Sequence, residues 1–424
     1  MTTVLGNDPT RLTNWAGNYP YRSTRLHRPS SLDELRAIVA RAPRIHALGS
    51  RHSFNDIADS AELVTLEGLD QGIEIDRSAR TVTVSAAVRY GDLARALDRE
   101  GLALHNMASL PHISVGGAVA TATHGSGDAN GNLATAVAAL ELVTSDGDVL
   151  RVSRSDDDFA GMVVGLGALG VVTRLTLDVQ PSYLVRQEVF EHLPWDVLFD
   201  RFDAVMSSAD SVSLFLDYGD DVGQVWLKTR VDAQAPRPLL DHLLGARAAL
   251  RTVHPVPALS TENLTDQLGV PGSWADRLPH FRLEAVPASG AELQSEYMVP
   301  RRCAVEALQT VRDLAPAIRP HLLVSEIRTV AADDLWLSSA YGTDTVCIHF
   351  SWKPDLDAVI GVLPLIETAL APFWARPHWG KLFVASAREL EPRFPRLPDF
   401  RRLAERLDRR GAFRNAFLER HVLG

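Results

Sequence analysis

Gly49-Ser50-Arg51-His52-Ser53 decides the fold prediction, because it is one of four loops of small residues in the first half of the chain. It follows a run at 44–48 that is typical of a strand. Glycine lets backbone N–H groups come close to phosphate, and Ser and Thr add hydroxyl donors. Together the loops predict a long polyphosphate cofactor laid across a groove. The other three are Ser114-Val115-Gly116-Gly117, Thr121-Ala122-Thr123-His124-Gly125 and Gly167–Gly170.

The last of these loops belongs to Gly165-Leu166-Gly167-Ala168-Leu169-Gly170, which matches the dinucleotide-binding pattern G-x-G-x-x-G. That pattern needs a strand before it and a helix after it. Here 156–164 is not strand-like, whereas 171–177 alternates like a strand. We therefore reject a Rossmann fold. The glycines indicate either a tight loop beside a ligand or a plain turn.

Composition indicates an acidic globular protein. The 424 residues are 46% hydrophobic and 23% charged, with a net charge of −10, which disfavours nucleic-acid and anionic-membrane surfaces. Two cysteines, Cys303 and Cys347, cannot build a disulfide framework or a cysteine-rich metal site. The start resembles no signal peptide, and no stretch reaches the length of a membrane-spanning helix. We expect a cytoplasmic monomer with no membrane or nucleic-acid partner.

The element pattern predicts an α+β chain of two domains with a change near position 180. Ser31 and Glu34 form a capping-box pattern at the start of a helix. Residues 231–290 are rich in proline and predict loops and short helices. Strand, helix, strand, strand and helix follow over 292–373, which suits an antiparallel sheet covered by helices.

Two predicted strands carry polar residues on one side. Glu326 and Arg328 are two residues apart, as are His349 and Ser351, so each pair shares a face of its strand. A solvent-facing sheet surface would look the same. If the strands are neighbours, however, the four side chains form a polar patch suited to a polyhydroxylated ligand.

Four motifs resemble the alditol oxidases, a family of vanillyl-alcohol-oxidase-type flavoproteins related to the aldonolactone oxidases. They span nearly the whole chain in the family's order. Arg51 departs from the resemblance, since glycine is common there, and a positive φ would strain it. The motifs are Gly49-Ser50-Arg51-His52-Ser53-Phe54-Asn55, Asn106-Met107-Ala108-Ser109-Leu110-Pro111-His112-Ile113-Ser114, Glu326-Ile327-Arg328 and Arg376-Pro377-His378-Trp379-Gly380-Lys381.

The resemblance implies a two-domain FAD-binding fold of the PCMH type. The FAD-binding domain would comprise 1–180, completed by about 384–424, and an antiparallel-sheet substrate domain would comprise 181–383. FAD would be attached covalently through His52. The implied cofactor-binding residues are Gly49, Ser50, Arg51, His52, Ser53, Ser109, Ser114, Gly117, Thr121, Ala122, Thr123, His124 and Val172.

The implied reaction is FAD-dependent oxidation of the terminal hydroxyl of an alditol such as xylitol or sorbitol, with O₂ reduced to hydrogen peroxide. Arg328 and Lys381 would act on the reacting oxygen, and His349 would accept a proton or support those that do. Lys228 and Lys353 are interpreted as solvated. The implied substrate-binding residues are Ser109, Glu326, Arg328, Ser351 and Lys381.

Three alternatives remain open. An aldonolactone oxidase or dehydrogenase would share the fold, and a polyol-binding protein without turnover would share the polar patch. A metal site would need His46, His52, His105, His112 or His124, but their spacing matches no metal-binding motif, so we expect none. A nucleophile-elbow hydrolase lacks its G-x-S-x-G motif.

Overall fold

The computed structural model describes residues 2–4, 12–231, 239–257, 259–285 and 292–424. Over these residues the chain forms two small sheets near its start, a two-stranded ribbon and one large sheet. The predicted α+β class is confirmed. The α-helices are Leu32–Arg41, Tyr90–Arg99, Val115–Ala120, Phe159–Val163, Trp195–Asp200, Phe202–Met206, Trp274–Arg277, Ala304–Asp313, Ala315–Ile318, Leu356–Leu370, Ala387–Leu390, Leu397–Leu407 and Ala416–Leu418.

The first small sheet has four strands and the second has five. In order across the sheet, the first contains Thr2–Val4, Arg25–His27, Glu62–Val64 and Ile45–Ala47. The second contains Ile73–Asp76, Thr81–Ser85, Val171–Asp178, Val137–Val143 and Val149–Ser153. The ribbon pairs Leu102–Ala103 with Gln180–Pro181.

The large sheet is antiparallel and has ten strands, and its centre carries the Glu326 and His349 strands. Gly272–Ser273 pairs with the strand Leu184–Pro194. In order across the sheet, the others are His242–Leu243, Ala246–Ala248, Leu184–Pro194, Asp221–Val231, Ser211–Leu216, Leu322–Val330, Thr345–Trp352, Leu293–Pro300 and Arg376–Pro377. The element order predicted for 292–373 is therefore confirmed.

Local signals placed several boundaries correctly. Ser31 caps the helix Leu32–Arg41 by accepting a hydrogen bond from the Glu34 backbone N–H at 3.2 Å. The Glu34 carboxylate accepts from Ser30 N–H rather than from Ser31, so only half of the capping box forms. The G-x-G-x-x-G run follows the helix Phe159–Val163 and precedes the strand Val171–Asp178, as its rejection as a Rossmann motif required.

The C-terminal residues pack against the first sheet. Ile45 N–H donates to Ala412 O at 2.8 Å, and the Asn415 amide donates to Ile57 O at 2.8 Å and to Asp59 O at 3.0 Å. These contacts support the proposal that the C-terminal tail completes the domain formed by the first 180 residues.

One helix differs from expectation. The segment Leu356–Phe373, 18 residues with a mean hydropathy of 1.6, is long and apolar enough to cross a membrane, so the expectation that no stretch reaches this length is wrong. The helix is nevertheless tied to the large sheet through Glu367. The carboxylate of Glu367 accepts hydrogen bonds from the Tyr297 hydroxyl at 2.9 Å and from Val384 N–H at 2.8 Å.

Candidate active site

A cavity of about 860 Å³ lies between the small-residue loops and the polar face of the large sheet. Of the thirteen residues predicted to bind cofactor, Ala122 alone is missing from its lining; it is buried and has φ 53°. All the residues predicted to bind substrate line the same cavity. Gly165, Gly167 and Gly170 line it as well, which favours a loop beside a ligand over a plain turn.

The loops at 49–53 and 114–117 are locked together. Ser50 N–H donates to Ser114 Oγ at 3.3 Å, and Ser114 N–H donates to Ser50 Oγ at 2.9 Å. A Cβ on Gly49 would lie 2.5 Å from Ser114 Oγ, so only glycine allows this approach. The two loops thus present closely spaced backbone to the cavity, as binding of a polyphosphate requires.

Arg51 occupies the left-handed region with φ 64°, the conformation that makes glycine favourable at this position. Its backbone oxygen accepts from Trp15 N–H at 2.7 Å, and its guanidinium donates to Thr13 O at 3.1 Å. The departure from the family's glycine therefore carries backbone strain, which these contacts hold in place.

We expect Arg51→Gly to have a free energy of unfolding about 1 kcal/mol above that of Arg51→Val, because a β-branched side chain is poorly accommodated at positive φ. Both variants lose the hydrogen bond to Thr13, so that loss cancels in the comparison. Chemical denaturation measures the difference. Equal stabilities would mean that the loop can leave the left-handed conformation without cost.

His52 presents its ring to the cavity, stacked on Trp15 with 5.4 Å between ring centroids. Neither ring nitrogen has a hydrogen-bond partner among the described residues. Burial lowers the pKa of His52 to about 4, so the imidazole is neutral at physiological pH and keeps a free lone pair. A neutral imidazole of this kind suits attachment to a ligand.

The predicted polar patch forms, and it is buried rather than solvent-facing. The Glu326 and His349 strands are neighbours, and these two residues are directly paired. His349 is also paired with Glu296 on its other side. Glu326, Arg328, His349 and Ser351 are each at most 6% exposed.

Glu296 is the central residue of the patch, and the sequence analysis missed it. Its carboxylate accepts from Arg328 at 2.7 Å and from Lys381 at 2.6 Å, and it lies 3.4 Å from His124 Nε2. A detectable signal existed, because Glu292 just before the strand Leu293–Pro300 and Gln294 and Glu296 within it alternate in sequence, and all three line the cavity.

Opposite charges balance inside this patch. Burial alone would raise the pKa of Glu296, but Lys381 and Arg328 outweigh it and hold that pKa well below its usual range. Burial lowers the pKa of Lys381, although Glu296 opposes the change. Two carboxylates, Glu296 and Glu326, thus face two cations, Arg328 and Lys381, which makes the charged set tolerable without bulk water.

His349 is a neutral base inside the patch. Burial, reinforced by Lys381, holds the pKa of His349 well below its usual range. Neither ring nitrogen is hydrogen-bonded within the described part of the chain, and the side chain lines the cavity. Ser109 is tied to the same patch, because Arg328 donates to its hydroxyl at 3.4 Å.

The interpretation of Lys228 as solvated is wrong, whereas Lys353 is exposed as expected. Lys228 is 2% exposed and donates to Leu278 O, to Pro279 O and to His280 Nδ1. Burial lowers its pKa from 10.5 to about 7, although Glu326 opposes the change. His280 in turn contacts Glu326 at 2.9 Å, a link that the sequence analysis did not foresee.

We expect the buried Lys228 to make stability depend on pH. Below about pH 7 both the folded and the unfolded chain hold its proton, whereas between pH 7 and about 10 only the unfolded chain does. The stability of the wild type should therefore rise with pH relative to Lys228→Met, by up to about 1.4 kcal/mol per pH unit. Urea unfolding of both proteins across this range measures it. Parallel curves would mean that the lysine stays protonated throughout.

Part of the cavity wall comes from the region where the sequence offered no pattern. Val256, Leu259 and Phe281 line the cavity beside Phe215 and Val324 of the large sheet. These apolar residues lie in a loop-rich segment with little periodicity, so no sequence signal marks them as part of a site.

His124, Glu296 and His378 lie close enough to share a metal ion, with their ligand atoms within 4.8 Å of one another. However, Glu296 already bonds two cations, and His378 Nδ1 accepts from Gly380 N–H at 3.1 Å. A further positive charge would be repelled there. The absence of a metal therefore remains a prediction.

Comparison with known proteins agrees with this geometry. The FAD binding domain family matches residues 24–153, and the D-arabinono-1,4-lactone oxidase family matches 291–421. Alditol oxidase from Streptomyces sp. is 49% identical over 96% of this chain and 98% of its own length. L-gulono-1,4-lactone dehydrogenase from Mycobacterium tuberculosis is 30% identical over 97% of this chain and 99% of its own length.

A solved structure supports the fold. Cholesterol oxidase from B. sterolicum superimposes with a TM-score of 0.79 over 100% of this chain and 97% of its own, at 13% identity. At that identity the likeness concerns the fold alone. Together with the FAD binding domain match, it confirms the predicted FAD-binding fold of the PCMH type.

Proposed function

The chain belongs to the alditol oxidases, within the vanillyl-alcohol-oxidase-type flavoproteins, and from this premise we propose that it oxidises the terminal hydroxyl of a sugar alcohol such as xylitol or sorbitol to the aldose. The observation that carries the proposal is the buried patch of Glu296, Glu326, Arg328 and Lys381, which lines the same cavity as the small-residue loops. FAD held in this cavity would supply the two-electron acceptor for the hydride of the carbinol carbon, and its reoxidation by O₂ would give hydrogen peroxide.

The loops fit FAD on grounds independent of the family. The closely packed Gly49 and Ser114 backbones suit the pyrophosphate. His52, with its unpartnered neutral ring at the cavity, is the residue we propose for the covalent link. The remaining predicted cofactor residues would hold FAD through noncovalent contacts.

Arg328 and Lys381 are proposed to bind the reacting hydroxyl oxygen. A fixed cation stabilises the negative charge that develops on that oxygen as its hydrogen leaves. His349 lines the cavity with both ring nitrogens free of hydrogen bonds among the described residues, so it is the residue we propose to accept the hydroxyl proton. Glu326, Ser109 and Ser351 are proposed to bind the remaining hydroxyls, so an analogue that lacks one of them would leave a buried polar group unpaired.

An aldonolactone is the second candidate substrate, because the D-arabinono-1,4-lactone oxidase family matches 291–421, the segment that supplies most of the polar patch. Such a lactone would present its hydroxyls to the same residues. For a lactone dehydrogenase, the electron acceptor would be a compound other than O₂.

The test is anaerobic mixing of the purified holoenzyme with xylitol, sorbitol, L-galactono-1,4-lactone and L-gulono-1,4-lactone in parallel. We expect the flavin to bleach with the alditols and to recolour in air with formation of hydrogen peroxide. Bleaching by the lactones alone would favour the second candidate. Binding of polyol without bleaching would indicate a binding protein and would overturn the proposal.

A further inference from the structure

Below about pH 7, Lys228 is a buried cation whose three donors are all used. An ammonium has three N–H donors and no acceptor. Here its partners are two backbone oxygens, Leu278 O and Pro279 O, and one ring nitrogen, His280 Nδ1 at 3.0 Å. Because the ammonium can only donate, Nδ1 of His280 has to accept.

This contact fixes the tautomer of His280. If Nδ1 accepts, the ring proton of neutral His280 lies on Nε2, which is 2.9 Å from Glu326 Oε1. Burial, with Lys228 adding to it, lowers the pKa of His280 to about 4, so the ring carries that one proton only. His280 therefore donates to Glu326.

The ring also has little freedom to turn. It packs against Phe215 at 5.6 Å and against Trp226 at 5.2 Å between centroids, both with an edge-to-face geometry. The backbone N–H of His280 donates to Ser109 O at 2.9 Å. One residue thus holds both Glu326 and the Ser109 loop.

Only one oxygen of Glu326 is engaged in this way. Oε1 faces His280 and, at 3.7 Å, Arg328 Nε, whereas Oε2 makes no hydrogen bond among the described residues. Burial alone would raise the pKa of Glu326, but Arg328 and then His280 outweigh it and keep the carboxylate ionised. Glu326 lines the cavity, so Oε2 is the oxygen available to a ligand.

We propose that Lys228 and His280 are positioning residues for the substrate: Lys228 sets the His280 tautomer, and His280 holds Glu326 so that Oε2 accepts a hydrogen bond from a polyol hydroxyl. This inference rests on the proposed function. It assigns a positioning role to two residues that are absent from both the predicted substrate-binding set and the predicted cofactor-binding set. Without Lys228, His280 can shift its proton to Nδ1, and its Nε2 lone pair then repels Glu326 Oε1.

A double-mutant cycle tests this mechanism at pH 6, where Lys228 carries its proton. Lys228→Met should raise the KM for xylitol about tenfold and change kcat less than twofold. In His280→Gln, the side-chain amide keeps an N–H donor near the position of Nε2, and it has no alternative tautomer for Lys228 to select. In that background, Lys228→Met should therefore change KM less than twofold. An equal effect in both backgrounds would mean a general structural role and would overturn the proposal.

A second pair of variants is informative even if Lys228→Met fails to fold. His280→Gln should keep KM within about threefold of the wild type, whereas His280→Leu, without a donor, should raise it about tenfold or more. Equal KM values for these two variants would also overturn the proposal. Lys353→Met is the control, because Lys353 is exposed and donates only to Pro320 O among the described residues. This variant should leave both KM and kcat unchanged. If the wild type oxidises no polyol, the proposed function fails before the variants are compared.

Discussion

Lys381→Met is expected to lower the rate of flavin reduction by alditol about 10²- to 10³-fold, the usual effect of removing one preorganised charge from the reacting oxygen. Lys381 is suited to this role because it lines the cavity and is held at 2.6 Å by Glu296. Stopped-flow absorbance under anaerobic conditions measures the reduction step directly, without interference from O₂.

The same substitution also leaves Glu296 with one cation fewer, so it affects stability as well as the reduction rate. Removing one partner of a buried ion pair destabilises a protein by about 3–5 kcal/mol. The double variant Lys381→Met with Glu296→Gln removes the orphaned carboxylate charge. We expect it to regain much of the stability of the wild type and none of the rate.

Two results would contradict the electrostatic role of Lys381. Full alditol turnover by Lys381→Met would remove the role altogether. Recovery of the rate in the double variant would show that Lys381 acts only by neutralising Glu296. Lys353→Met is the matched control, since this lysine is exposed and lies outside the cavity lining.

The small-residue loops that line the cavity could be predicted because their signals are local. Gly49, Ser50 and His52 are neighbours in sequence, and a turn of small residues has the same local conformational preferences regardless of the rest of the fold. The polar faces of the Glu326 and His349 strands could also be predicted, because each strand carries a clear alternation, whereas the pairing of the two strands was only a condition of the predicted patch. The resemblance to a known family added the order of the motifs.

The centre of the polar patch could not be predicted, because it depends on which strands lie side by side. Glu296 reaches His349 only because its strand pairs with the His349 strand on the side away from Glu326. The contacts of Lys228 could not be predicted from the sequence for the same reason. Lys228 shares a strand face with the buried Trp226, but its partners come from 278–280, a segment without periodicity. Register between distant strands is set by the whole core.

His52→Ala is expected to abolish covalent attachment of FAD. The denatured wild-type chain should carry the added mass of FAD, and the variant chain should have the mass of its sequence alone. Intact-protein mass spectrometry after acid denaturation measures both. His192→Ala is a suitable control, because that side chain is 74% exposed and lies outside the cavity lining, and it should retain the added mass.

The variant should still bind FAD without the bond, because the reciprocal hydrogen bonds between Ser50 and Ser114 do not involve the imidazole. A histidyl substituent withdraws electron density from the flavin and favours its reduction. We therefore expect the loaded variant to have a lower reduction potential and to be reduced by alditol on the order of tenfold more slowly.

His46 is the rival for the covalent link, and the same spectra separate the two residues. His46 also lines the cavity with an unpartnered Nε2, and burial lowers its pKa to about 4. The His46 ring, however, packs against the backbone of Gly167. A Cβ added to Gly167 would lie 2.1 Å from His46 Cε1. If His52→Ala keeps the added mass while His46→Asn loses it, His46 carries FAD and the assignment to His52 is wrong.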